Sequence, residues 1–166
     1  AAFQGSMLNV KKDILEKSLE VNFYSHHNIV QKIANIMVSQ GFGGSISLNL
    51  SKQSINPGKD FGPYGIAKAS SLFSMKQYAL EFGKYNIRVN GINADRIKSG
   101  LLTDQFIKER AKARNMSAIE YLNNNLLQKQ VTAEDVAEVF FAQLSFEKTT
   151  GNIITVDGGN IEASLR

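Results

Sequence analysis

Cysteine is absent from the 166 residues. This excludes a disulfide framework and a thiolate metal site and fits a reducing compartment. No apolar run approaches the ~20 residues that span a bilayer, and no stretch reads as a secretory signal. A cytoplasmic location away from the membrane is expected. Internal repeats, low-complexity tracts and a domain-splitting linker are missing too. Charge of one sign is scarce, the net value being only +4. The single dense basic stretch, KERAKAR from Lys108 to Arg114, has no interleaved aromatic residue. It reads as a solvated helix face rather than a nucleic-acid surface, with a phosphate-binding role a distant third. What is present, 43% hydrophobic and 20% charged residues, suffices for one globular domain with a core.

Hydrophobic periodicity organises that material. The leading AAFQGSM, residues 1–7, has none and ends in Met7; it reads as an extraneous leader, with 8–166 as a single domain. Asn9 is placed to cap a long helix whose apolar positions run from Val10 through Ile14, Leu19 and Ile33 to Met37, with Gly41 and Gly43 ending it. SISLNL, 45–50, alternates as a strand does. A loop rich in Gly, Pro, Asn and Asp follows, then a helix over 64–82 stopped by Gly83. NIRVNGINA, ending at Ala94, is a second strand, and 99–125 is helical in character. Thr132 and Asp135 form a capping box for a helix through Leu144. NIITV, ending at Val156, is the last strand.

Strands alternating with helices imply right-handed crossovers and a parallel sheet. The expected class is α/β, about three parallel strands with helices on both faces. Ligands in such sheets sit beyond the carboxyl ends of the strands. Ser51, the start of the 64–82 helix and Ser99 therefore converge on one edge.

Tyr64 and Lys68 stand four apart in NPGKDFGPYGIAKASSL, on one helical face. A phenol with a pKa near ~10 is a poor base at neutral pH, and a neighbouring cation lowers that value. A serine hydroxyl from the adjacent strand end could hold a carbonyl or alcohol oxygen beside it. That set suits proton transfer coupled to hydride transfer and not acyl transfer, which needs a base to activate its nucleophile. The spacing alone is weak, because a surface pair on a helix is the ordinary explanation.

The combination is more specific. Ser51 ends a strand thirteen residues before Tyr64, Asn22 lies in LEVNFYSHHNIVQKIANIM, NIRVNGINA follows, and TTGNIITVDGG closes the pattern. Together these resemble the second half of the short-chain dehydrogenase/reductase fold, a truncated Rossmann-like half-domain, from about residue 8 to 160. The resemblance implies Tyr64 as general acid/base, and Lys68 as the cation that lowers its pKa and holds the nicotinamide ribose. It implies Ser51 as the group orienting the substrate oxygen and Asn22 as support for a proton relay. Ala94 and Asp95 replace the family's usual Pro-Gly, and with Ser99 they take the place of the nicotinamide contacts. LSKQSINPGKDFGPYG, NADRIKSGLLTD and TTGNIITVDGGNIEASLR are further similar to the dehydrogenase domain of bifunctional rhamnulose-1-phosphate aldolase/alcohol dehydrogenases. That similarity implies NAD or NADP and a small, lactaldehyde-like alcohol or aldehyde.

No strand leading through a Gly-rich turn into a helix precedes these motifs, and Gly41, Gly43 and Gly44 lie in the reverse context. The expectation is a chain that does not hold the cofactor alone and is inactive in isolation. It would lack a partner half or an aldolase domain, or be a non-catalytic remnant or interaction fragment. An uncovered edge at 45–50 and apolar helices at 8–40 and 64–82 point to a homo-oligomer. His26 and His27 are adjacent and do not share a face, so no metal site is expected. Asp157 reads as a turn former. Asn49 and Asn93 either face the crevice or satisfy loop backbone.

Overall fold

The computed structural model describes residues 1–160. Three strands, β1 (Gly44–Asn49), β2 (Ile87–Ala94) and β3 (Ile153–Val156), form a sheet in the order β1-β2-β3, parallel throughout. Around it run α1 (Lys12–Leu19), α2 (Ser25–Gln40), α3 (Gly62–Phe82), α4 (Asp104–Lys112), α5 (Ala118–Asn123) and α6 (Ala133–Gln143). The expected α/β class with three parallel strands is the observed one. No helix among the described residues is long and apolar enough to cross a membrane.

The sheet is buried on both faces, because alternate β2 side chains meet different helices. Ile87 and Val89 join Leu48, Leu50, Val30 of α2 and Met75 and Tyr78 of α3 in one core. Ile92, with Ala94 and Val156, packs on Val136 and Val139 of α6 and on Val131 in a second. Each fully buried apolar side chain contributes roughly 1.5–3 kcal/mol. Two buried polar residues are satisfied. Gln143 accepts from the Ser47 hydroxyl at 2.9 Å and donates to the Gly91 carbonyl. Asn90 donates to the Thr149 carbonyl at 2.8 Å and accepts from the Asn152 amide at 3.1 Å.

The first helix departs from expectation. It begins at Lys12 with Lys11 as a cap that makes no side-chain bond, and Asn9 sits in a turn against Ser6. It is also interrupted. Glu20–Tyr24 form a π-helical turn, the Ser25 amide reaching back five residues to Glu20. The cause is local competition: Asn22 returns its side-chain amide to the Ser18 carbonyl at 3.1 Å, and the Ser25 hydroxyl bonds the Val21 carbonyl at 2.7 Å. The 99–125 stretch resolves into two short helices, each begun by its own hydroxyl cap, Thr103 and Ser117. The Thr132–Asp135 capping box is present.

Residues 1–7, set outside the domain on sequence grounds, pack on it. The Gly5 amide donates to the Asp60 carbonyl at 2.8 Å, and Asn22 donates to the Ala1 carbonyl at 2.9 Å. Burial of Asn22 rewards this docking, since its side chain would otherwise lose a partner.

Gly41 caps α2 in the left-handed region, its amide on the Met37 carbonyl. Gly43, also left-handed at φ +78°, leaves a Cβ no room, with the Asn86 carbonyl oxygen 2.3 Å from its ideal position. A Cβ at Gly41 meets nothing within 4 Å. Gly43→Ala should therefore cost about 2–4 kcal/mol and Gly41→Ala about 1 kcal/mol. Chemical denaturation of both variants checks the difference, and equal losses would contradict the crowding at Gly43.

Candidate active site

The carboxyl ends of β1 and β2, the start of α3 and the α4–α5 segment surround a cleft of about 580 Å³. Ser51, Tyr64, Ala94, Asp95 and Ser99 all line it. Pro63 in the first turn of α3 suits a helix start, having no amide to satisfy. It leaves Tyr64 one residue on, directly over the strand ends. Tyr64 is 8% exposed, and the neighbouring Ser51 side chain acts on its phenol. The Ser51 hydroxyl also accepts from the Gln53 amide at 3.2 Å, which fixes it at the head of the Lys52–Ser54 turn.

Lys68 lies behind the cleft wall at 6% exposure. Its Nζ donates to the Asn49 carbonyl at 2.9 Å and stands 5.9 Å from the Tyr64 ring centroid. Asn22 is further back and is braced against α3. Its carbonyl accepts from the Ser71 hydroxyl at 2.9 Å and faces His26 Nδ1 at 3.0 Å. Its side chain is linked through Ser18, whose hydroxyl donates to the Pro63 carbonyl at 2.9 Å. The structure thus unites Ser51 and Tyr64 directly, places Lys68 beneath them, and keeps Asn22 as a brace.

The electrostatics differ from the sequence expectation in one respect. Burial raises the Tyr64 pKa, and the Ser51 side chain offsets this only in part. Burial alone lowers Lys68, from 10.5 to about 8. The expected depression of the phenol by Lys68 is not what prevails, because the ammonium is turned to a backbone carbonyl and both groups are desolvated.

The residues expected to contact a nicotinamide are held in distinct ways. Asp95 accepts from Lys52 Nζ at 3.2 Å and from Asn160 at 2.8 Å, with Arg96 Nε at 3.5 Å. Ala94 packs against the second core. Ser99 is exposed, and its hydroxyl accepts from the Leu101 and Leu102 amides at 3.3 and 3.4 Å. Asn49 lines the cleft; Asn93 is buried, its Oδ1 without a hydrogen-bond partner. Asp157 accepts from the Gly159 amide at 2.8 Å, as a turn former does. His26 and His27 diverge, the latter meeting the Tyr78 hydroxyl at 2.5 Å.

Sequence reasoning missed Lys52, whose position directly after Ser51 was the available signal. Burial pulls its pKa down, opposed chiefly by Asp95. It also misplaced Arg110 and Arg114: two of the four basic residues in the stretch read as a solvated face line the cleft. Arg110 lies on α4 and Arg114 in the turn after it, and only the packing of that segment orients them.

The family model described as enoyl-(acyl carrier protein) reductase matches residues 1–160, so the likeness includes the first seven residues. The uncharacterized oxidoreductase YuxG of Bacillus subtilis is 35% identical over 131 residues, 74% of this chain and 19% of that protein. An L-rhamnose 1-dehydrogenase (NAD(P)(+)) of a Sphingomonas species is 30% identical over 160 residues, 93% of this chain and 59% of its own. A short-chain type dehydrogenase/reductase from Mycobacterium ulcerans superposes with a TM-score of 0.83 at 29% identity, covering 95% of this chain and 55% of that one. The chain spans three fifths or less of the curated relatives it matches first.

A buried lysine near pKa 8 has a stability consequence. Below that value Lys68 is protonated in both folded and unfolded states, and stability is flat. Between about 8 and 10.5 the unfolded chain binds the extra proton, so stability rises with pH. Lys68→Met should raise stability at pH 7 by about 1–2 kcal/mol, after loss of the Asn49 bond, and abolish the rise. Thermal melts of both proteins from pH 7 to 10 check this; parallel profiles would contradict it.

Proposed function

The chain belongs to the short-chain dehydrogenase/reductase family, and from that premise we propose that it carries the proton-transfer site of an NAD(P)-dependent oxidoreductase. The substrate would be a small alcohol or its carbonyl partner, lactaldehyde-like in size. The observation that carries this reading is the adjacent Ser51 and Tyr64 side chains in one cleft wall, with Lys68 one helical turn on.

In the oxidising direction the Ser51 hydroxyl holds the substrate oxygen, and Tyr64 Oη, once ionised to phenolate, takes the alcohol proton. In reduction Tyr64 returns it to the new alkoxide. The raised phenol pKa suits the donating role at neutral pH. Lys68, near the ionisation range at pH 7–8, holds a proton behind the phenol and offers its ammonium to the cofactor ribose. Asn22 keeps α3 in place against the π-helical turn and supports the relay. The nicotinamide, when bound, supplies the hydride acceptor or donor. Ala94, Asp95 and Ser99 border its place, with the Asp95 carboxylate committed to Lys52 and Asn160.

These residues fit the nicotinamide end of the cofactor. Among the described residues no strand leads through a Gly-rich turn into a helix, the usual anchor for the pyrophosphate. Tight binding then needs a further half. YuxG, in which the matching segment is about a fifth of the protein, is consistent with such a segment working inside a longer polypeptide, and an aldolase domain is one such neighbour. Exposed Ile29, Ile33 and Ile36 on α2, with Phe73 and Leu80 on α3, support self-association through these helices.

Three measurements test this reading. Calorimetry on the chain alone should detect no micromolar NAD affinity; such affinity would overturn the divided site. In a fusion supplying the dinucleotide-binding half, Tyr64→Phe should lower kcat by about 10²–10⁴, while unchanged turnover would leave a scaffold or remnant. Light scattering should show a dimer or larger, and a lone 18.3 kDa species would refute the assembly.

A further inference from the structure

The charged lining of the cleft is mostly cationic. Of the charged residues lining it, Lys52, Arg96, Arg110 and Arg114 are basic and only Asp95 is acidic. Asp95 is already bonded to Lys52 and to Arg96. Arg110 and Arg114 have no carboxylate partner among the described residues. An arginine on a solvated helix would ordinarily extend into water. Here the Arg110 guanidinium lies 4.5 Å from the Phe61 ring centroid and 5.1 Å from that of Phe106. Arg114 lies 5.5 Å from the Tyr121 ring and donates to the Arg110 carbonyl at 3.2 Å. Stacking occupies a face of the guanidinium and leaves its edge donors for a planar or tetrahedral anion.

The aromatic support connects this cation to the chemistry. Phe61 meets Tyr64 edge-on at 6.2 Å and Phe106 at 6.0 Å. Arg110 is thus two ring contacts from the phenol, with Phe61 as the shared neighbour. Lys108 and Lys112, in the same stretch, are exposed and are not among the cleft-lining residues, whereas Arg110 is half-buried and Arg114, though exposed, lines the cleft.

We propose that Arg110, assisted by Arg114, binds an anionic group of the substrate, a carboxylate or a phosphate ester, at the end remote from the carbinol that Tyr64 serves. This rests on the oxidoreductase reading of Ser51 and Tyr64 and adds a substrate class to it. A substrate so held has its charge neutralised at one end of the cleft and its reacting carbon at the other, which fixes orientation as well as affinity.

The test uses the chain itself and NMR titration of labelled protein with glycerol 3-phosphate, glycerate and glycerol. The two anions distinguish phosphate from carboxylate, and glycerol reports the neutral frame. At least one anion should bind saturably, with shifts around Arg110, and glycerol should bind at least tenfold more weakly. Arg110→Gln should weaken anion binding at least tenfold; Lys76→Gln, on α3 and not among the cleft-lining residues, should leave it unchanged. Should Arg110→Gln fail to fold, Arg114→Gln, exposed at its side chain, should still weaken binding at least threefold. Equal binding of glycerol, or unchanged affinity in a folded arginine variant, overturns the proposal. In the fused enzyme the KM for substrate should rise in Arg110→Gln with the KM for NAD unchanged; a rise confined to NAD would assign the guanidinium to the cofactor phosphates and overturn it. Tyr64→Phe should leave anion binding intact while removing turnover, so failure of the anion site and failure of the catalytic reading are separable.

Discussion

A buried ammonium must find an oxygen, and Lys68 finds the carbonyl of Asn49, the last residue of β1. Much of the site's geometry depends on that bond. It ties the second turn of α3 to the end of the strand that delivers Ser51, and so holds Tyr64 over the serine rather than over solvent. An unpaired charge at this depth would cost several kcal/mol. The helix therefore cannot slide along the sheet without exposing the penalty. Burial, not the contact itself, lowers the lysine pKa, because the shelter that makes the bond strong also disfavours the charge.

A second polar centre closes the other wall. The Asp95 carboxylate collects Lys52, Arg96 and Asn160, joining the turn after β1 to the end of β2 and the segment after β3. The carboxylate end of the sheet is thereby locked by two kinds of device: a lysine on a backbone carbonyl at one side, and an ion cluster at the other. Between them the cleft keeps a fixed mouth. Aromatic rings, not ion pairs, then carry the guanidinium groups of its outer wall.

The parallel α/β class and the α3 helix were legible in the sequence because they rest on local signals: alternation in SISLNL, a Gly stop after Phe82 and the Thr132–Asp135 box. The juxtaposition of Ser51 and Tyr64 was legible too, since strand ends and helix starts share one edge of a parallel sheet. The π-helical turn was not. It arises from side-chain bonds of Asn22 and Ser25 to backbone carbonyls four residues back, which hydrophobic periodicity does not encode. Lys52 with Asp95, 43 residues apart, was hidden by that separation. The sign of the Tyr64 shift followed from depth of burial, which spacing cannot report. Arg110 was misread because α4 is amphipathic in charge on both sides, and only packing on Phe61 decides which side turns inward.

The π-helical turn sets a rule about length. An α-helix advances by roughly 100° per residue, so the extra residue within Glu20–Tyr24 offsets the phase of α2 from that of α1. With this offset α1 presents Ser18 to Pro63 of α3, while α2 presents Val30 to the sheet core. A relative one residue shorter here would have a straighter helix and a rotated α2, and would need a different set of core side chains throughout its second half. In this segment the count of residues is as much a part of the design as their chemistry.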